Sequence, residues 1–320
     1  MGERLYGLDA LRGVAAIAVA GHHLARIHGL PWPPLSPSIA VDLFFILSGF
    51  VMTRTYEGRL RNGLTTLAFI GLRYRRLFMP LAIGSTIGLA LAVAIHGPIP
   101  QLAAAYILIL CFLPAIGPAA FLLNGPAWSL FVEIISNSLH GAFFARMSNA
   151  WLLALIAACG LVAATCFATG LAIWTPAITS ILWLIPRELT CYLVGIWMFR
   201  RYGDTQLGGS PGAAVVAFTI APGLASINSA FEIAALIAAP FIIRASLGLP
   251  GWRWAISAGA LSYPLYATHV PVMQAARAMG LHPLASLALA AAVAIVVTLA
   301  FEIRRPLIGT RADARSRLAS

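Results

Sequence analysis

Arg12 and His23 are the first two residues whose types and spacing could do chemistry. They lie eleven positions apart in one apolar stretch, about 3.06 helical turns, so they share a face roughly 16 Å apart along its axis. An imidazole is neutral or charged near physiological pH, so His23 can act as a general base without large perturbation. His22 points about 100° away and competes for that role. Asp42, Glu133 and His269 also fall inside apolar segments, where ionisable groups are costly and are functional candidates by default. Glu133, within AWSLFVEI, must pair or be protonated. Tyr266 and His269 are three apart and share a face.

Arg73 and Arg76 belong to the run RYRR. Guanidinium forks bind phosphate oxygens bidentately, which makes the pair a candidate phosphate site, although such a cluster equally fits an orientation signal or a lipid headgroup contact. Ser48 and Ser129 are candidate nucleophiles, and Trp128 accompanies Ser129. Close helix packing would account for Ser48-Gly49 just as well, because small residues let helix backbones approach.

These groups require elements that hold them in lipid. The 320 residues are 60% hydrophobic and 10% charged, with mean hydropathy +0.89. Soluble domains carry about 25% charged residues, so the composition predicts an all-α polytopic integral membrane protein. At about 20 residues per span, ten spans use about 200 residues and leave about 120 for loops and tails. That predicts a single membrane domain over 1–320, with no soluble extracellular domain. All 21 basic residues are arginine and the net charge is +11. They fall between apolar runs, as the positive-inside rule requires, so no nucleic-acid partner is expected. The four cysteines lie singly in apolar segments, without disulfide or metal spacing. Arg4 and the stretch from Val14 to Ala20 imitate a cleavable signal, but Asp9 and Arg12 crowd its start and the pattern continues, which predicts retention.

Eleven apolar runs can be marked at 8–27, 39–56, 77–95, 102–123, 127–145, 150–170, 177–199, 211–224, 229–245, 253–273 and 283–302. The loop assigned between the second and third holds Arg54, Arg59, Arg61, Arg73, Arg75 and Arg76 against Glu57, and reads as cytoplasmic. Strict alternation from there would place Arg200 and Arg201 outside. Treating 102–123, interrupted by Pro114 and Pro118, as a non-crossing or re-entrant segment removes the conflict. The expected path has ten crossings and both termini in the cytoplasm. No tandem repeat appears, and PWPPLSP from Pro31 to Pro37 reads as a stiff outer loop.

Five stretches occur in order across most of the chain: LDALRGVAAIAVAGHH at 8–23, VDLFFILSGF at 41–50, RYRR at 73–76, AWSLFVE at 127–133 and SYPLYATH at 262–269. Together they resemble the acyltransferase 3 family of membrane acyltransferases, which includes bacterial O-acetyltransferases of cell-surface sugars. The resemblance implies ten spanning helices, an acyl group from cytoplasmic acyl-CoA (acetyl by family habit), and an acceptor commonly reached from the periplasmic side. It implies that His23 is the family's essential histidine, Arg12 its basic residue eleven positions earlier, Arg73 and Arg76 its donor-associated arginine pair, and Glu133 its glutamate. Thr268 before His269 and the histidine pair at 22–23 depart from the pattern.

On this reading His23 deprotonates the acceptor hydroxyl, oriented by Asp42 or Glu133 from neighbouring helices. CoA phosphates sit on Arg73 and Arg76, and Arg12 lines the donor path or stabilises the oxyanion. Ser48, Trp128, Ser129, Tyr266 and His269 line a cavity or meet the acceptor, and direct transfer is favoured over an acyl-enzyme. The expected partners are acyl-CoA, a carbohydrate or lipid-linked glycan, and membrane lipid in the inner membrane, with no permanently bound cofactor and no metal. The alternative, a secondary transporter of a small anionic or sugar-like solute, calls for paired inverted halves. The sequence shows no such correspondence.

Overall fold

A computed structural model describes residues 4–31, 37–115, 119–171, 177–227 and 229–302, and every regular element among them is helical. Eleven principal helices follow the eleven apolar runs. They are α1 (Tyr6–His28), α2 (Pro37–Met52), α4 (Thr66–His96), α5 (Pro100–Leu110), α6 (Ala127–Ala142), α7 (Asn149–Ala168), α8 (Ile178–Tyr202), α9 (Pro211–Ile227), α10 (Ser229–Ser246), α11 (Arg253–Ala278) and α12 (Pro283–Val297). A short α3 (Gly58–Arg61) continues α2 through a π-helical turn at Thr53–Glu57. Residues 32–36, 117–118 and 304–317, which include most of the expected outer loop, part of the 102–123 interruption and the tail arginines, lie outside the described residues.

Five helices are long and apolar enough to cross a membrane: Pro37–Arg61, α4, α7, α8 and Pro283–Ala300. The expected count of about ten is therefore not reached by length and composition alone. With 23 and 26 residues, α1 and α11 have the length but carry the polar groups that lower their hydropathy. At 16 residues, α6 spans about 24 Å, short of a hydrocarbon core of about 30 Å. The apolar faces of α7 and α12 turn outward, with Trp151, Leu161 and Val296 at 70%, 71% and 64% exposure.

The stretch holding Arg73, Arg75 and Arg76 is not a loop. Thr65 caps α4, its side chain accepting from the Ala68 N–H at 3.2 Å, and the helix is already two turns old at Arg73. Position 62 to 65 is all that separates it from α3, so the arginines project from a helical face.

Side-chain and backbone contacts fix the relative directions of the helices. Parallel packing of α1 and α11 brings Gly13 against Ala258 and His23 beside His269. A second parallel pair is α2 and α8, with Asp42 beside Arg187 toward one end and Glu57 beside Arg200 at the other, and the backbones touch between them: a Cβ at Gly49 would collide with the Tyr192 carbonyl, and one at Gly195 with that of Ile46. Gly49 therefore has a packing role, and the backbone approach is reciprocal. In contrast α6 runs antiparallel to α4, with Glu133 beside Arg73 and Gly141 beside Thr66.

Residues 100–115 and 119–124 pack back along α4. Along α4, Tyr106 meets Thr86 (2.8 Å) and the Leu110 carbonyl accepts from Tyr74 (2.9 Å), but Leu123 is back beside Gly88. Tyr106 and Leu110 thus lie successively along α4, and Leu123 is at the half where Tyr106 sits. Helix α5 has 11 residues, about 16 Å. The return is anchored by Asn124, whose Nδ2 donates to the Ala267 carbonyl at 2.8 Å. Pro271, four residues later, has no N–H to offer that carbonyl, so Asn124 replaces the missing helical donor.

Opposite that end, the chain is fastened by Arg200. Its Nε reaches both oxygens of Glu57 (3.1 and 3.0 Å), Nη2 donates to the Phe144 carbonyl (2.6 Å) and Nη1 to that of Met147 (2.9 Å). Glu57 also pairs with Arg61 at 2.5 Å, and Arg146 donates to the Leu60 carbonyl at 2.9 Å. These arginines, expected to be orientation signals, hold three chain segments together.

Candidate active site

His23 and His269 meet where α1 and α11 run side by side. His269 is fully buried, and its Nδ1 lies 3.0 and 2.9 Å from the carbonyls of Leu265 and Tyr266. Carbonyls only accept, so Nδ1 carries the proton and Nε2 holds the lone pair. That Nε2 is 3.0 Å from His23 Nδ1, which also lies 3.0 Å from the Val19 carbonyl. His23 Nδ1 is therefore protonated as well, and its Nε2 is the basic nitrogen. The backbone carbonyls assign both tautomers, a consequence of partners on fixed helices.

His23 borders a cavity of about 650 Å³ that also includes His22, Trp128 and Glu188. A second cavity of about 170 Å³ is lined by Arg12, Arg73, Arg76, Ser48 and Glu133. Val41 and Tyr266 border both, so α1 carries an imidazole in one chamber and a guanidinium in the other, as its eleven-residue spacing requires. At the boundary Ser129 Oγ lies 2.7 Å from the Tyr266 hydroxyl and 3.1 Å from the Pro126 carbonyl. Tyr263, also in the second chamber, donates to the Leu77 carbonyl.

The carboxylates do not orient His23. Asp42, 1% exposed, forms a bidentate pair with Arg187 at 2.9 and 2.6 Å, and the Cys191 thiol donates to it at 3.6 Å. Glu133 accepts from Arg73 Nη2 at 2.8 Å and from Ser48 at 3.4 Å. The expectation that Asp42 or Glu133 would orient His23 is corrected: His269 does so, because α11 is the helix packed along α1. Arg73 is itself buried and tied to Glu133, whereas Arg76 is exposed. The two arginines thus differ: Arg73 is fixed in the wall and Arg76 is accessible to a ligand. His22 lines the first chamber with its ring edge-on to His23, centroids 5.2 Å apart.

Several polar residues were not singled out as site candidates by sequence reasoning. Glu188 borders the histidine chamber, and Asn124 anchors α11. Along α6, Asn137 and His140 extend the face of Glu133 by four and seven residues and meet the Tyr192 hydroxyl at 3.1 and 3.2 Å. Their spacing, i, i+4 and i+7, was a signal available in the sequence. Among the described residues no group of three or more His, Cys, Asp or Glu is arranged to hold a metal, and the four cysteines are free thiols.

The acyltransferase-domain model of the acyltransferase 3 family matches residues 5–303. Over 165 residues the chain is 36% identical to a Rhizobium radiobacter protein described as protein 2 in the picA locus, covering 45% of this chain and 84% of that one. No solved structure matches. The family match spans both chambers and every helix that lines them, and the chain belongs to the acyltransferase 3 family.

Proposed function

We propose that this protein moves an acyl group, acetyl by preference, from cytoplasmic acyl-CoA to a hydroxyl of a carbohydrate or glycosylated acceptor on the periplasmic side of the inner membrane. The observation that carries the reading is the His23 and His269 pair, whose fixed tautomers leave His23 Nε2 as a base beside a chamber that shares a wall with an arginine-lined one. The acyl-CoA phosphates lie on Arg76, and the thioester reaches the Val41 and Tyr266 boundary. His23 Nε2 takes the acceptor's hydroxyl proton as the oxygen attacks the thioester carbonyl. Collapse of the tetrahedral adduct breaks the C–S bond, and the His23 proton passes to the departing thiolate. The products are an ester and CoA thiol, so protons and charge balance.

His269 fixes the imidazole as the carboxylate of a catalytic triad does, but from a neutral ring anchored on two carbonyls. Arg12 supplies positive charge on the donor side of the boundary. Neither Ser48 nor Ser129 is hydrogen-bonded to a histidine in the contacts described above, which favours direct transfer over an acyl-enzyme. Ten crossings with both termini cytoplasmic accord with the helix directions. A crossing by 102–123 would make α8 antiparallel to α2 and α6 parallel to α4, the reverse of the observed packing.

The test is transfer of label from acetyl-CoA to extracted glycans by the purified protein in proteoliposomes, alongside glycan acetylation in a deletion strain and its parent. Label should appear with wild type and vanish with His23→Ala. Uptake of a sugar or anion without any transferred label would instead identify a transporter.

A further inference from the structure

The histidine chamber contains a carboxyl group that the transfer chemistry does not use. Glu188, on α8 two residues after Pro186, is 3% exposed and lines the chamber, and its Oε2 has no hydrogen-bond partner among the described residues. A desolvated carboxyl oxygen without a donor is destabilising. Its neighbour Arg187 turns its guanidinium to Asp42, consistent with adjacent helical residues facing different directions. No described residue donates to Oε2, and an occupant of the chamber that Glu188 lines can supply that donor.

The remaining walls narrow the chemistry of that occupant. Trp128 presents a half-buried indole, and Arg26 and Gln274 are exposed at the same chamber. A cationic ligand would meet Arg26 and Arg187, and an apolar one would leave Glu188 and Gln274 without partners. A hydroxyl-rich ring has donors for the carboxyl, acceptors for guanidinium and amide, and a C–H face for the indole. The volume of about 650 Å³ lies within the range of about 300–1,000 Å³ usual for ligand sites.

We propose that Glu188 is the acceptor-anchoring residue: its carboxyl accepts from a hydroxyl of a saccharide or related polyol, beside the hydroxyl delivered to His23, while the ring lies on Trp128. This rests on the acyl-transfer reading and adds to it the group that selects which hydroxyl reacts. Glu188 positions the acceptor and takes no proton.

The experiment uses the full chain in nanodiscs and reads binding separately from turnover. Saturation-transfer NMR is recorded with methyl glycosides of glucose, galactose, mannose and rhamnose, and with cyclohexanol as a ring bearing one hydroxyl. At least one glycoside should bind wild type and His23→Ala alike. Glu188→Gln, which preserves size, should weaken that glycoside at least tenfold while cyclohexanol and acetyl-CoA affinities stay within twofold. Gln274→Ala, at an exposed position, should weaken the same glycoside severalfold with acetyl-CoA binding intact. Equal glycoside binding by wild type and Glu188→Gln overturns the proposal, as does wild type binding every glycoside no better than cyclohexanol. Glycoside binding that depends on Glu188, without any acetyl transfer, would overturn the acyltransfer reading and leave the polyol site standing.

Discussion

Arginine meets carboxylate at both ends of the parallel pair α2 and α8, and the two ends are finished differently. At one, Arg200 is shared among Glu57 and the carbonyls of Phe144 and Met147, with each nitrogen of its guanidinium bonded. Toward the other, Asp42 and Arg187 satisfy each other while the adjoining Glu188 retains an unpartnered oxygen beside a cavity, and Arg73 on α4 keeps an unpartnered Nε. A buried polar group whose hydrogen bonds are complete has its partners within the fold. One left incomplete beside open space still has a bond to make, and the difference separates a fastening from a binding site.

The contrast can be broken most decisively at the base. His23→Ala should lower acetyl transfer by about 10²–10⁴-fold, the usual range for a general base, with the protein still folded in the membrane. Full activity in that variant, combined with loss in His22→Ala, would move the base to the neighbouring ring. Arg200→Ala should act on the fold instead. Removing one partner of a buried, fully bonded pair costs about 3–5 kcal/mol, to be read as a lowered melting temperature in detergent, with transfer per folded molecule retained. Loss of transfer without loss of stability would erase the distinction between the two ends.

Arg76→Ala should raise KM for acyl-CoA about tenfold, equivalent to about 1.4 kcal/mol and within the range of a charge-assisted bond. An unchanged donor affinity would return the arginines of α4 to an orientation role. The smallest effect is expected at Cys191→Ala, which removes a weak thiol donor from Asp42 and should shift stability by less than about 1 kcal/mol. A larger loss would show that the bidentate Asp42 pair depends on a third donor.

How much of this was legible in the sequence depended on whether the cue was local. Each apolar run became a helix, and Arg12, His23 and Glu133 were conspicuous because charge is rare in apolar surroundings. Pro114 and the arginine count pointed to a break in 102–123, where α5 ends at Leu110 and Leu123 lies back beside Gly88 of α4. Partnerships between helices left no such trace. Asp42 and Arg187 are 145 residues apart, so nothing in local spacing distinguishes their pairing from that of Asp42 with His23. The carboxylates were assigned to orient the histidine by analogy with triads, whereas helix packing supplied a second histidine. Asn124 was equally silent, because its function depends on a carbonyl deprived of its donor by a proline 147 residues later.

That 145-residue separation between Asp42 and Arg187 also imposes an order on the protein's synthesis. A ribosome adds roughly 5–20 residues per second, so about 7–30 s pass between making the carboxylate and making its cation. During that interval α2 has neither the salt bridge nor the backbone of α8 against Gly49. Its aspartate must wait protonated, at the lipid headgroups, or in the care of an insertion factor. The pair that steadies the finished enzyme is therefore a point of vulnerability while the chain is being made, and a pause in translation before Arg187 would lengthen the time it is exposed.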